Sequence, residues 1–308
     1  MKTEPTKVEV EVEGRRLLLS NLEKVLFPAV HFTKAEVIDY YSRIAPYVLP
    51  HLTDRPLTLK RYPNGVDAPF FFEKQAPSHR PPWVKTVAIY SDSNSRDIDY
   101  VVCNDLPTLV WLANLADLEL HTTMAKARTP EQPTMVVFDL DPGAPANLHE
   151  CCVVGLRLKE LLGDNGLDAF AKVSGSKGLQ VYVPLNTARM SYDRTTPFAH
   201  DVAVRMEKDD PRLVVSKQKK ELRVGKVLVD WSQNVDSKTT VCAYSLRARE
   251  RPTVAMPVTW DEVAECADSG DLRPMTFEAA DALARAEELG DLFAPLLTTK
   301  QKLPSALR

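Results

Sequence analysis

Polar and apolar residues alternate strictly near the start of the chain, through Val8-Glu-Val-Glu-Val-Glu13, and Leu17-Leu-Leu19 follows Arg15-Arg16. Period-two alternation predicts a hairpin over 7–19 that turns at Gly14. The period changes at Thr33, which stands three residues before Glu36, the spacing of a capping box. Val37, Tyr41, Ile44 and Val48 then recur on one helical face. Short strands are predicted near 57–62, 86–90 and 98–103. A helix is predicted from Pro107 to about Leu118, with Leu109, Leu112 and Leu115 turned inward. Beyond Thr134 the pattern reads strand (135–139), helix (148–162), strands (169–173 and 179–184), helix (197–207) and strand (226–231). Two amphipathic helices follow, near 260–268 and 277–290. This alternation predicts an α/β (α+β) fold, with central β-sheets covered by helices. The Pro-rich stretch 129–145 divides an N-terminal module of about 1–130 from a second of about 131–308. The two modules are expected to pack as one unit.

Composition changes this picture little: 44% of the 308 residues are hydrophobic and 26% are charged. No apolar run is long enough to span a bilayer, and no signal-peptide core precedes Val8, so a cytoplasmic protein with no membrane partner is expected. The five cysteines at 103, 151, 152, 242 and 266 lack metal-site or disulfide-framework spacing and read as buried thiols. The net charge of −3 conceals a segregation. Eight basic and four acidic residues lie between Arg205 and Lys226, against ten acidic and two basic between Thr259 and Pro295. A local basic surface is what phosphate binding needs, although a solvated face accounts for such runs equally well.

The candidate chemistry begins at Met135-Val-Val-Phe-Asp139-Leu-Asp141-Pro-Gly143, an apolar strand ending in two acids. On a strand Asp139 and Asp141 share a face, and two like charges so close call for a compensating cation, best a hard one such as Mg²⁺ or Mn²⁺. A solvated strand end would explain the pair alone. Lys226-Val-Leu-Val-Asp230 delivers a third acid from a second strand, so that three carboxylates can hold two metal ions. Between the two strands lies Val173-Ser-Gly-Ser-Lys-Gly-Leu-Gln180, whose turn can offer N–H groups, hydroxyls and one ammonium to phosphates, or can be an ordinary Gly/Ser turn. Upstream, Lys60-Arg61-Tyr62 precedes Phe70-Phe-Phe72. Three consecutive aromatics cannot share one buried face, so at least one is a candidate platform for a base. His121, after Glu119, stands isolated, and a lone His is more often structural than catalytic.

In this order the motifs resemble the polymerase domain of bacterial ligase D, a branch of the archaeo-eukaryotic primase superfamily. The resemblance runs from Leu19-Ser-Asn-Leu-Glu-Lys24 through Lys60-Arg61, Asn64-Gly-Val-Asp67, Phe71-Phe72-Glu-Lys74, Glu119-Leu-His121, Phe138-Asp-Leu-Asp-Pro-Gly143 and Ser174-Gly-Ser-Lys-Gly-Leu179. It ends at Val229-Asp-Trp-Ser-Gln-Asn234 and Tyr244-Ser-Leu-Arg247. It implies a primase-polymerase core, with Asp139, Asp141 and Asp230 holding two Mn²⁺ (or Mg²⁺) ions. Lys60, Ser174, Lys177, Gln180 and Arg247 would contact the triphosphate of an NTP or dNTP, with His121 beside its sugar. Phe71 and Phe72 would stack on a base. Asn21, Lys24, Lys34 and Arg61 would bind the 5′-phosphate of gapped or broken DNA, and Arg223 and Gln233 would contact DNA. Nucleotide addition to a 3′-hydroxyl, with end-joining or ligase partners, follows from the same resemblance.

One position departs from the pattern, because the family motif ends in His where this chain has Gln180. Gln carries no charge, and a neutral bond in place of a charged one costs about 1 kcal/mol. The expected result is that Gln180→His lowers the apparent nucleotide KM, and an unchanged or higher KM rules that account out. Neither a ligase nor a phosphoesterase module lies within these 308 residues, which reads as a stand-alone member or an excised domain, the Met1 start and compact C-terminus favouring the first. Two other readings of the acids are a haloacid-dehalogenase-like phosphatase and a divalent-dependent glycosyltransferase. Gly143 and the mid-chain position of the motif argue against the phosphatase. A third reading is a DNA-end-binding module that recognises a 5′-phosphate, its catalysis weakened by Gln180; the intact acidic triad argues against it.

Overall fold

The computed structural model describes residues 7–92 and 94–307. The opening hairpin pairs Lys7–Val12 with Arg15–Ser20, and Val12 opposes Arg15. Its two-residue turn has φ of 47° at Glu13 and 75° at Gly14, the left-handed pair that a tight hairpin demands. Thr33 caps the helix Lys34–Leu52 through the capping box with Glu36, and Val37, Tyr41, Ile44 and Val48 are all buried.

Two sheets organise the molecule. The first places its strands in the order Thr239–Val241, Asp117–Thr123, Pro56–Arg61, Arg96–Val102, Thr86–Ser91, with Phe71–Glu73 also paired to Pro56–Arg61. The second runs Val214–Val215, Val227–Asp230, Met135–Pro142, Leu179–Pro184, Phe170–Val173, Pro257–Val258. The mixed α/β architecture thus matches the expectation from the pattern. The division near residue 130 separates the sheets but not the chain, because the first sheet takes its edge strand from Thr239–Val241. Long-range ties cross the same boundary. The Tyr40 hydroxyl donates to the Tyr244 carbonyl at 2.8 Å, and His51 lies 2.9 Å from the Asp291 carboxylate.

Two helices differ from their predicted spans. The helix predicted to reach Leu118 is Leu106–Asn114, with Asp105 as N-cap. A left-handed residue at Ala116 ends the turn, and Leu118 belongs to the strand Asp117–Thr123. Periodicity could not separate a helix end from a fully buried strand, since the apolar run is continuous across both. The helix predicted from 197 starts at Tyr192 behind Ser191 and carries Pro197 internally. All five cysteines are buried free thiols.

The candidate nucleotide-transfer cleft

Register positions the carboxylates. Asp139 sits directly opposite Asp230 on one neighbouring strand and Gln180 on the other, and Gln180 in turn opposes Lys172. Opposed residues of antiparallel strands project to the same face, so Asp230, Asp139, Gln180 and Lys172 form one row across four strands. Burial, opposed by a hydrogen bond from Gln180 and reinforced by the charge of Asp230, pushes the Asp139 carboxyl up to about 6. Asp141, two residues on, is half exposed and pairs with the Arg223 guanidinium at 3.2 Å. Asp230 accepts from Gln218 at 2.8 Å, from the Ser232 N–H at 2.8 Å, from the Ser232 hydroxyl at 2.7 Å and from Gln233 at 3.2 Å. Arg223 also donates to the Gln218 side-chain oxygen at 2.7 Å, which closes a bridge between Asp141 and Asp230. Arg223 and Gln233, read from the sequence as DNA contacts, thus both face the acids.

The turn between the central strands is built tightly. The Ser174 hydroxyl accepts from the Gly178 N–H at 3.1 Å and from the Ser176 N–H at 3.3 Å. A Cβ on Gly178 would come within 2.1 Å of the Leu140 carbonyl oxygen, so the turn presses its backbone against the carboxylate strand. Arg247 donates to the Ser174 carbonyl and Arg249 to the Ser176 hydroxyl, bringing two guanidinium groups to the turn that carries the exposed Lys177.

Glu119 organises the opposite wall, and the sequence reading gave it no role. It is 1% exposed, and its carboxylate meets Lys60 Nζ at 3.1 Å, His121 Nε2 at 3.0 Å and Arg247 Nε at 3.4 Å. It also accepts from the Ala248 N–H at 3.1 Å. Burial alone would raise its pKa. The His121 hydrogen bond, with the charges of Arg247 and Lys60, instead holds it well below the usual carboxylate range. Its only sequence signal was its place two residues before His121, on the same strand face. Lys172 was missed too. It is fully buried, burial depresses its ammonium to about 7, and its Nζ has no hydrogen-bond partner.

Two of the acids and three of the cations line one cleft of about 430 Å³, bordered by Asp139, Asp141, His121, Lys177, Arg247 and Arg249 among others. Gln180 lines its floor at 4% exposure, and its Oε1 accepts from the Tyr182 hydroxyl at 3.1 Å. The amide lies between the Tyr182 hydroxyl, which it accepts from, and Asp139, the residue directly opposite it.

The three phenylalanines are all exposed, and their strand splits two of them between opposite sides. Phe72 opposes Lys60 and meets the His121 ring edge-on at 6.1 Å, on the cleft side. Phe71 opposes Arg61 and lies under its guanidinium at 5.1 Å. Phe70 stacks on Tyr62 at 5.1 Å, with Lys60 Nζ 4.6 Å from its ring. On the Arg61 side, Lys24 Nζ donates to Asn64 at 2.9 Å and Lys34 Nζ to the Ser20 carbonyl at 2.6 Å. Burial, then the charges of Lys24 and Arg61, depress the Lys34 ammonium to about 8. Asn21 holds a left-handed backbone, φ 55°, in the adjoining turn, where its carbonyl accepts from the Lys24 N–H. Arg61 is paired with Glu73 at 2.8 Å, and the two lysines beside it have no carboxylate partner of their own among the ion pairs of the described residues.

Two sheets thus flank a cleft with an acidic and a cationic wall. Residues 33–293 match the family model of the LigD primase-polymerase domain, and the chain belongs to that family. It is 42% identical over 283 residues to the multifunctional non-homologous end joining protein LigD of Mycolicibacterium smegmatis, covering 91% of this chain and 36% of that protein. It is 31% identical over 289 residues to the bifunctional LigD of Bacillus subtilis, covering 94% of this chain and 45% of that protein. The chain thus spans well under half the length of these relatives. Among solved structures, the polymerase domain of Mycobacterium tuberculosis ligase D in complex with DNA superposes with a TM-score of 0.85 at 40% identity. That match covers 93% of this chain and 99% of that domain.

Proposed function

We propose that this chain is a template-directed nucleotidyltransferase that adds NTPs or dNTPs to a 3′-hydroxyl at short gaps or broken DNA ends. The observation that carries the reading is the cleft itself. Asp139 and Asp141 share a cleft of about 430 Å³ with His121, Lys177 and Arg247, Asp230 stands directly opposite Asp139, and Lys60 meets the same Glu119 carboxylate as His121 and Arg247. The donor set suits divalent ions. Asp139, Asp141 and Asp230 offer hard oxygen ligands, and Asp139 stands directly opposite Asp230 with Asp141 two residues on along the same strand face. Among the described residues no three His, Cys, Asp or Glu side chains converge as a closed metal cluster. With Arg223 on Asp141 and Gln218 on Asp230, loading requires that bridge to open. Two Mn²⁺ or Mg²⁺ ions held there would activate the 3′-hydroxyl and neutralise the leaving phosphates. The protein's own part is positioning: Lys60, Lys177 and Arg247 grip the triphosphate, and Phe72 and His121 fix base and sugar.

The Lys24, Lys34 and Arg61 cluster fits a DNA 5′-phosphate, whose charge would relieve their mutual repulsion. The reading is tested by primer extension on a gapped duplex with Mn²⁺ and ribonucleotides, with and without a downstream 5′-phosphate. Extension with a preference for the phosphorylated gap supports it. DNA binding without extension would instead favour an end-binding module. In the same assay Lys24→Ala is expected to erase most of the phosphate preference, leave extension on the unphosphorylated gap unchanged, and reduce the salt slope of DNA binding by about 1.

A further inference from the structure

The two sheets are joined behind Asp139 by a chain of hydrogen bonds with a defined direction. Thr240, on the edge strand of the first sheet, lies 3.1 Å from the Tyr182 hydroxyl, and that hydroxyl lies 3.1 Å from Gln180 Oε1 on the second. An amide oxygen only accepts, so the one Tyr182 proton goes to Gln180, and Thr240 donates to Tyr182, a stronger acceptor than the Met124 sulfur 3.9 Å away. With its oxygen on Tyr182, the Gln180 amide leaves its nitrogen for Asp139, the residue directly opposite it. Every bond in the series points the same way, and each member is buried: Thr240 at 5%, Tyr182 at 4% and Gln180 at 4% exposed. On the far side of Gln180 stands Lys172, whose buried Nζ has no hydrogen-bond partner. If Oε1 lost the Tyr182 hydroxyl, the amide would be free to turn, and a turn would carry its nitrogen off Asp139.

We propose that Tyr182, backed by Thr240, is a positioning residue that locks the Gln180 amide with its nitrogen on Asp139 and so fixes that carboxylate for nucleotidyl transfer. The inference rests on the proposed activity, so wild-type extension of the gapped duplex comes first. If the wild type does not extend, the activity reading fails on its own account.

With that established, Tyr182→Phe, Gln180→Ala and the double variant form a cycle. Tyr182→Phe is expected to lower kcat about tenfold to a hundredfold with little change in nucleotide KM, the usual scale for a residue supporting a metal-site carboxylate. In the Gln180→Ala background the same substitution should do almost nothing, because the amide it orients is gone. A loss by the same factor in both backgrounds, or an unchanged kcat in Tyr182→Phe, would overturn the proposal. A second readout needs no activity. The Gln180 side-chain NH₂ signals in a ¹⁵N spectrum should be slow to exchange in the wild type and shift or broaden in Tyr182→Phe. Unmoved signals would also overturn it. Should Tyr182→Phe fail to fold, Thr240→Val removes the donor while leaving the tyrosine in place. It is expected to lower kcat in the same direction by a smaller factor, and only when Gln180 is present.

Discussion

Asp139→Asn will abolish nucleotide addition and at the same time make the metal-free protein more stable. Both effects come from the position of Asp139, between Asp230 and Gln180 and largely out of water. Burial first, and then the charge of Asp230, raise its pKa from 3.8 to about 6. The sign of the linkage follows. Between those values the folded protein keeps a proton that the unfolded chain has released, so stability falls as pH rises through that window. At neutral pH the charged carboxylate therefore costs about 3 kcal/mol, two pKa steps at 1.36 kcal/mol each with a little more. Asparagine keeps the shape and removes the charge. The melting temperature should rise by several degrees at pH 7, at roughly 2 to 4 °C per kcal/mol, and not at all below about pH 4. Extension should fall by about a thousandfold or more, the several kcal/mol that metal-held charge stabilisation supplies. Mn²⁺ should raise the melting temperature of the wild type toward that of the variant and leave the variant nearly unmoved. Extension near the wild-type rate would remove Asp139 from the chemistry, and a lowered melting temperature at pH 7 would contradict the electrostatic account.

What the sequence disclosed, and what it withheld, divides along local and non-local lines. The shared face of Asp139 and Asp141 is a property of any strand, and the capping box at Thr33 needs only three residues of spacing. The hairpin turn at Gly14 was legible for the same reason. The row from Asp230 to Lys172 was not, because it depends on the pairing of strands far apart in the chain, and no period within a strand encodes a partner's register. Lys172 reads as an ordinary polar position in an alternating strand, and nothing in Phe170-Ala-Lys-Val173 marks it as fully buried. The amide of Gln180 could be identified as a departure from the family motif. Its two engagements could not, since one of them, the Tyr182 hydroxyl, is itself anchored from the other sheet. Charge offered a different kind of ambiguity. Arg223 lies in the basic stretch and reads as a surface residue, yet its guanidinium is turned inward onto Asp141.

Glu119 is the other place where a single substitution should have a large effect, on stability first. Its carboxylate is the common partner of Lys60, His121 and Arg247, which are themselves only 15%, 16% and 12% exposed. Glu119→Gln leaves an ammonium and a guanidinium nearly out of water with no counter-charge. Breaking a buried ion pair from one side costs about 3 to 5 kcal/mol. The melting temperature should drop by roughly 6 °C or more, at 2 to 4 °C per kcal/mol. A triphosphate bound in the cleft would return the missing negative charge. Saturating nucleotide should therefore raise the melting temperature of Glu119→Gln by more than it raises that of the wild type. Catalytic efficiency should still fall, because the three groups that hold the triphosphate and sugar lose the acceptor that orients them. Affinity for a 5′-phosphorylated gap should not change, since Lys24 and Lys34 are held by Asn64 and Ser20 and not by Glu119. A variant that melts within a degree or two of the wild type would show that solvent already neutralises these cations. Equal nucleotide-induced shifts in the two proteins would show that the triphosphate does not take the place of the carboxylate.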